Sequence, residues 1–180
     1  MIEIRKLPAD RWKDYRDLRL EALKKEPMAF GSSPEEESEL AEETWRKRIM
    51  DVLFAMDDDE PVGMVAYVFE KSVKFKHIAG IYGFYVRAGY RGQGVGSRLL
   101  EEALRRIRMN KAIIKVKLAV ISEQREAIGV YEKAGFVVTG RSEKELKVGK
   151  RFYTMLFMEK VLRWTRESRQ LTPACSSPWS

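Results

Sequence analysis

Apolar and polar residues alternate over residues 2–7, the period-two pattern of a half-buried strand, and Pro8 ends it. The period then changes. Trp12, Tyr15, Leu18, Ala22 and Leu23 recur at helical spacing and predict an amphipathic helix over residues 10–25. Residues 27–32 read as a loop. Ser33, Pro34, Glu35 and Glu36 follow it as a capping box with proline at the first helical position, so a second helix, whole or broken, runs toward Met50. Strands are predicted over 52–56 and 62–69, joined by the acidic turn Asp57-Asp58-Asp59-Glu60-Pro61. A fourth strand over 77–86 leads through Arg87, Ala88, Gly89 and Tyr90 into a glycine-rich segment.

The clearest helix covers residues 95–108, where Leu99, Leu100, Ala103, Leu104 and Ile107 make one apolar stripe and Arg98, Glu101, Glu102, Arg105 and Arg106 face water. Ile114, Val116, Leu118 and Val120 form a fifth strand with Lys115 and Lys117 on its opposite face. A short helix over 125–134 is closed by Gly135 at a left-handed cap. Residues 136–139 resume extended structure, and a final hairpin turns near Val148 and Gly149 and returns through 152–158. The order β-α-α-β-β-β-α-β-α-β-β is that of an α/β (α+β) domain, a mixed sheet with helices packed on it. No internal repeat or second domain interrupts residues 1–162. Residues 163–180 are polar, rich in serine and proline, and expected to fray.

Composition narrows the chemistry. Of the 180 residues, 44% are hydrophobic and 34% charged, the balance of a soluble globular chain. No apolar run approaches the roughly 18 residues that span a membrane, and residues 1–5 begin as a strand rather than a signal peptide, so a cytoplasmic protein without membrane partners is expected. A lone cysteine, Cys175, and a lone histidine, His77, leave no disulfide framework and little for a metal site, and the acidic turn lacks the ligand alternation of a calcium loop. The net charge of +7 points to anionic partners. Nucleic acid is not the expected one. Arg105, Arg106, Arg108, Lys111, Lys115 and Lys117 come with no interleaved aromatics and no nucleic-acid motif.

A phosphorylated ligand is the better reading, because a strand enters a glycine-rich turn that opens a helix. There, unpaired N–H groups and the helix dipole attract an anion, and glycines let it approach the backbone. The dinucleotide fingerprint needs glycine at its first, third and sixth places; from Gly92 the sixth is Ser97, and from Gly94 it is Leu99. The P-loop needs Lys and Ser/Thr after its last glycine, and Gly94 is followed by Val95. Arg/Gln-x-x-Gly-x-Gly/Ala is matched in full by Arg91-Gly92-Gln93-Gly94-Val95-Gly96. A second segment, Ala127-Ile128-Gly129-Val130-Tyr131-Glu132-Lys133-Ala134-Gly135-Phe136, stands downstream. On these two motifs, and on the order of elements from Ile2 to about Lys160, the chain resembles the GNAT superfamily of N-acetyltransferases.

That resemblance implies a mostly antiparallel sheet of about seven strands with helices on both faces, and acetyl-CoA as co-substrate. It implies that the fourth and fifth strands splay to admit the pantetheine arm, with backbone near Tyr85 and Val86 bonding it and an N–H near Val86 facing the oxyanion. Arg91, Gly92, Gln93, Gly94, Val95, Gly96 and Ser97 are then assigned the diphosphate, and Gln124, Tyr131 and Lys133 stand beside the coenzyme. Family members often carry Asn where this chain has Gln124. Tyr131 resembles the family's tyrosine near the thioester sulfur and is the expected general acid, since an ordinary phenol, with a pKa of ~10, is protonated at neutral pH.

The base and the acceptor are open. The fourth strand contains no carboxylate, which leaves Glu70, the Glu35-Glu36-Glu37 run, His77 or Tyr82. With no plausible cysteine nucleophile, direct transfer to a small-molecule or peptide amine in a ternary complex is expected. Phe30, Ser32, Tyr82 and Tyr153 are the expected acceptor contacts. A coenzyme-binding sensor or scaffold is the alternative reading, and homodimers, common in the family, would use the last hairpin's edge.

Overall fold

A computed structural model describes residues 1–162; the expectation of a frayed tail over 163–180 lies outside them. The strands are β1 (Ile2–Arg5), β2 (Val52–Asp57), β3 (Glu60–Phe69), β4 (Ile78–Val86), β5 (Lys115–Ile121), β6 (Val137–Val148) and β7 (Arg151–Val161). The helices are α1 (Trp12–Lys25), α2 (Pro34–Ser38), α3 (Glu42–Arg48), α4 (Val95–Met109) and α5 (Arg125–Lys133). One seven-stranded sheet runs in the order β1-β2-β3-β4-β5-β7-β6. Every pairing is antiparallel except β4 with β5.

The apolar stripes decide which helix covers which face. Leu99, Leu100, Ala103, Leu104 and Ile107 of α4 are buried with Tyr131 of α5, Ala79 and Ile81 of β4 and Val116, Leu118 and Val120 of β5. On the other face Trp12, Tyr15, Leu18 and Leu23 of α1 pack with Trp45 of α3 and Phe54 of β2. The segment read as one helix after the loop is two. The capping box of Ser33 and Glu36 starts α2, the Leu40 N–H bonds back to Glu37, and Ala41 in extended conformation resets the chain for α3. The extended residues after Gly135 do not stop at 139 but continue as the single strand β6, bent by irregularities at 138–140 and 142–146.

One irregularity shapes everything that follows. Between the pairs Ala66↔Tyr82 and Met64↔Tyr85, the single residue Val65 of β3 faces Gly83 and Phe84 of β4, which is a β-bulge. Gly83 supplies it with φ 60°, a conformation a side chain would strain. An extra residue also exchanges the two faces of a strand. Ile81 faces α4, whereas Tyr85, an even step further on, is buried against α1. β4 and β5 ladder together only from Ile78, Ala79 and Gly80 to Lys115, Val116 and Lys117. Beyond that ladder β4 runs on to Val86 and β5 to Ile121, so the two strands part.

Candidate functional site

The parting strands open a cavity of about 50 Å³ lined by Ile81, Tyr82, Gly83 and Phe84 of β4, Ala119 and Val120 of β5, Ala29, and Gln124, Ala127 and Tyr131. Among the described residues, none that lines it is a carboxylate. Tyr131 is only 5% exposed, its ring tilted against Phe84 at 5.6 Å and Phe136 at 6.1 Å. Burial pushes its hydroxyl well above the ordinary phenol range, so the proton stays on at any physiological pH. Tyr131 faces the cavity because α5 ends in a tight cap. Gly135 bonds back to Glu132 and Phe136 to Tyr131, fixing the last turn.

One end of the slot leads to the start of α4. Gly92 and Gly94 both have positive φ, 73° and 78°, and, chain neighbours aside, none of the described residues comes within 4 Å of where their side chains would stand. Gly94 is the N-cap, no side chain caps the helix, and the first turn holds no acidic residue. The first helical bond here is Arg98 N–H to Gly94, at 3.0 Å, which leaves the N–H groups of Val95, Gly96 and Ser97 without helical partners. Gln93 closes the turn through Nε2 to the Gly89 carbonyl, 2.8 Å. Gly96 lies so close to Phe84 that a Cβ would stand 3.1 Å from its ring, which ties the turn to the cavity wall.

Arg91 contributes differently from what a phosphate-binding side chain would. Its Nε donates to the Val86 carbonyl at 2.8 Å, its Nη2 to Glu26 at 2.7 Å, and its guanidinium lies over the Tyr85 ring. It staples the turn to β4 and to the end of α1, so the cradle's free donors are backbone N–H groups. The Tyr85 hydroxyl points away from the slot and donates to Glu21, 3.0 Å, and burial together with that bond pushes it up to about 12. Among the described residues that line the cavity, β4 contributes residues 81–84, and neither Tyr85 nor Val86 is among them.

A larger groove of about 500 Å³ lies between the α1–α2 loop and the β6–β7 hairpin, lined by Phe30, Ser32, Lys24 and Lys147 among others. Behind it Glu37, 4% exposed, accepts from Arg19 Nε at 3.1 Å and Nη2 at 2.8 Å, with Arg48 at 3.4 Å. Burial drives the Glu37 carboxyl upward, but the bonds and charge of Arg19 outweigh it, and the net direction is below the usual value. It stays ionised.

The structure thus brings Tyr82, Gln124 and Tyr131 to one cavity, Gly92, Gly94, Val95, Gly96 and Ser97 to one turn, and Phe30 to the groove. Lys133 is exposed, and Tyr153 is buried beneath Arg151 without lining either opening. Among the suggested bases, Glu70 is paired with Lys117 at 2.7 Å, His77 precedes the far end of β4, and Glu37 is locked by arginines. Tyr82 alone of them lines the cavity; its ring lies directly over Gly80. Arg19, Gly83 and Phe84 are absent from the sequence-based expectations. Two of them left a signal: a glycine inside a strand marks a bulge, and Arg19 sits four residues from both Tyr15 and Leu23, in the buried stripe of α1. Among the described residues no group of three His, Cys, Asp or Glu stands together as a metal site, and no helix is long and apolar enough to cross a membrane.

Known proteins are similar to this chain in sequence and in fold. The chain is 35% identical over 88 residues to the peptidyl-lysine N-acetyltransferase YjaB of Salmonella typhimurium, a match covering 48% of this chain and 50% of that protein. It is 36% identical over 98 residues to the mycothiol acetyltransferase of Corynebacterium efficiens, covering 54% of this chain and 31% of that one. It therefore spans about half the length of the first relative and about a third of the second. In three dimensions it is similar to an acetyltransferase of the GNAT family from Streptococcus pneumoniae, with TM-score 0.81 and 20% identity over 90% of this chain and 100% of that one. A second similar fold is yncA, a putative acetyltransferase from Salmonella typhimurium determined with its cofactor acetyl-CoA, with TM-score 0.76 and 16% identity over 97% of this chain and 99% of that one. The sequence model described as the acetyltransferase (GNAT) family matches residues 12–136, and the chain belongs to that family.

Proposed function

We propose that this chain transfers an acetyl group from acetyl-CoA to an amine, directly and within a ternary complex. The observation that carries the reading is the parting of β4 and β5. It opens a slot that runs from a cradle of free N–H groups at Val95, Gly96 and Ser97 to the hydroxyl of Tyr131. Acetyl-CoA is the cofactor in the yncA structure, and the residues present here fit such a ligand. The cradle suits a diphosphate, with Gly92 and Gly94 leaving the backbone open to it, and the narrow slot suits an extended arm. When bound, the thioester supplies an activated acetyl carbonyl.

The chain's own groups would then act by position. Phe84 and Tyr131 wall the acetyl cavity and exclude water, and an N–H of β4 near Val86 is the expected donor to the carbonyl oxygen. The neutral amine attacks the acetyl carbon, and the carbon–sulfur bond breaks with its electron pair passing to sulfur. Tyr131 donates a hydrogen bond to that sulfur. A phenol held above its ordinary pKa is a weak acid, so its main service is to stabilise developing thiolate charge, and the proton lost by nitrogen completes the thiol through solvent. No carboxylate lines the cavity among the described residues, which fits an amine that arrives unprotonated.

Release of free thiol from acetyl-CoA across a panel of amines tests this reading. Turnover that requires an amine, with intersecting initial-rate patterns, supports it. An isolable acetyl-enzyme overturns direct transfer, and tight acetyl-CoA binding without turnover of any amine favours a sensor. Tyr131→Phe is expected to lower kcat about 10²-fold or more with acetyl-CoA affinity unchanged. The wild-type rate should show no alkaline fall below the ordinary phenol value of ~10.

A further inference from the structure

We infer that the acceptor carries a carboxylate beside its amine and that Arg19 anchors it; the inference rests on the acetyl-transfer reading above. A guanidinium has five N–H donors in a fixed fork. In Arg19, Glu37 takes Nε and one N–H of Nη2, and the Phe30 ring covers one face at 4.5 Å. The outer edge, Nη1 with the second N–H of Nη2, has no partner among the described residues. That edge is aimed at the bulge. Nη1 lies 3.6 Å from the point where a Cβ on Gly83 would stand, and, Gly83's chain neighbours aside, no other atom of the described residues comes within 4 Å of that point.

The position is where the two halves of the site meet. Gly83 and Ala29 line the acetyl cavity, while Phe30, next to Ala29 and stacked on Arg19, lines the acceptor groove. The missing side chain of Gly83 leaves the fork's approach open, and the fork's spacing matches the two oxygens of a carboxylate. Charge agrees. Arg19 and Arg48 surround the single carboxylate of Glu37, an excess of one positive charge, and the Arg19 side chain is only 12% exposed, so solvent screens it poorly. The groove wall itself carries both signs, Lys24 and Lys147 against Glu35 and Glu36, with Glu36 engaged in the capping box, so the local excess is that of the Arg19 cluster. A polyamine would bring a second cation to this point, and a peptide lysine would bring no carboxylate near its amine. An amino acid or a close analogue satisfies it.

Wild-type chain and thiol release provide the test, using acceptor pairs matched in length and amine basicity, one member with a carboxylate beside the amine and one with a neutral group there. The carboxylate member should be favoured at least about tenfold in kcat/KM. A carboxylic acid of the same shape lacking the amine should compete with the acceptor and not with acetyl-CoA. Arg19→Lys keeps the charge and loses the fork. It should raise KM for the carboxylate acceptor about tenfold, with neutral acceptors and the Kd of acetyl-CoA little changed and the melting temperature recorded alongside. Equal use of both members, preference for the neutral one, turnover of neither, or an equal rise of both KM values in the variant each overturn the anchor. Full turnover of neutral amines does so while leaving acetyl transfer standing, whereas failure to bind acetyl-CoA overturns both. Should Arg19→Lys not fold, the wild-type pairs and the competition pattern decide.

Discussion

In the proposed reading the site has a coenzyme half and an acceptor half, and the two are built from different materials. The coenzyme half is backbone: free N–H groups at the start of α4, two glycines with positive φ, and a slot left by strands that part at a bulge. Its charged side chains, Arg91 and Gln93's polar amide included, bond back to the protein. The acceptor half is side chain. Arg19 and Glu37 form a largely buried pair under the groove, with Phe30 stacked on Arg19 and the more exposed Arg48 at its edge. A backbone cradle accepts any ligand with the right anion and is insensitive to most substitutions. A side-chain cluster reads one chemistry and fails as a unit, because a buried charge left alone is costly.

That contrast is sharpest at Glu37. Glu37→Gln leaves two arginines facing a neutral amide behind the groove and is expected to lower stability by about 3–5 kcal/mol, read from urea denaturation. In the folded fraction acetyl-CoA affinity should hold while acceptor KM rises. The acid dependence has a definite sign. The folded carboxyl sits below its unfolded value of ~4.3, so its contribution is full above that pH and disappears as pH falls through the lower folded value. A loss of coenzyme binding equal to the loss of acceptor use would merge the two halves into one.

The same contrast explains what could be seen beforehand. Backbone sites write themselves locally, so Gly92, Gly94 and the stripe of α4 were legible within fifteen residues, as were the seven strands and both covering helix layers. The short helix that carries Tyr131 and its closure by Gly135 were legible for the same reason, while Tyr131 itself was singled out by the resemblance of its segment. The acceptor half joins residues far apart in the chain. Arg19 meets Gly83 across 64 positions, and although its place in the α1 stripe hints at burial, no local pattern announces its salt bridge to the third glutamate of an acidic run. Tyr153 looked like a groove residue because it sits on the hairpin, but it is buried beneath Arg151 and lines neither opening. Glu35, Glu36 and Glu37 looked equivalent until the capping box fixed the helix phase and sent only Glu37 inward.

A substitution in the backbone half should behave in the opposite way. Gly94→Val forces a β-branched residue into left-handed backbone, a strain of about 1–2 kcal/mol, and sets two methyl groups against the anion's approach. Acetyl-CoA affinity is expected to fall about 10²-fold, some ~2.7 kcal/mol, by calorimetric titration. The acceptor fork of Arg19 should be untouched, since nothing in it contacts the turn. Retained acetyl-CoA affinity in this variant would show that the cradle is carried by side chains after all.

The smallest effect separates the halves by their response to acid. Glu102, two turns along α4 from the cradle, is held down to about 2, first by its hydrogen bonds from Arg105, with burial opposing them and a hydrogen bond from Arg106 adding to them. Its folded value lies below its unfolded one, so the stability it adds is present above pH ~4.3 and is lost on the way to pH ~2. Arg105 is largely exposed and both arginines compete for one carboxylate, so solvent screening reduces the contribution to about 1 kcal/mol. Glu102→Gln should therefore remove about that much at neutral pH and flatten the acid limb of the denaturation midpoint by the same amount, with acetyl-CoA affinity unmoved. The Glu37 variant should flatten the limb several times more. If Glu102→Gln instead equals Glu37→Gln, the buried cluster behaves as a surface pair, and solvent, not burial, sets the chemistry behind the groove.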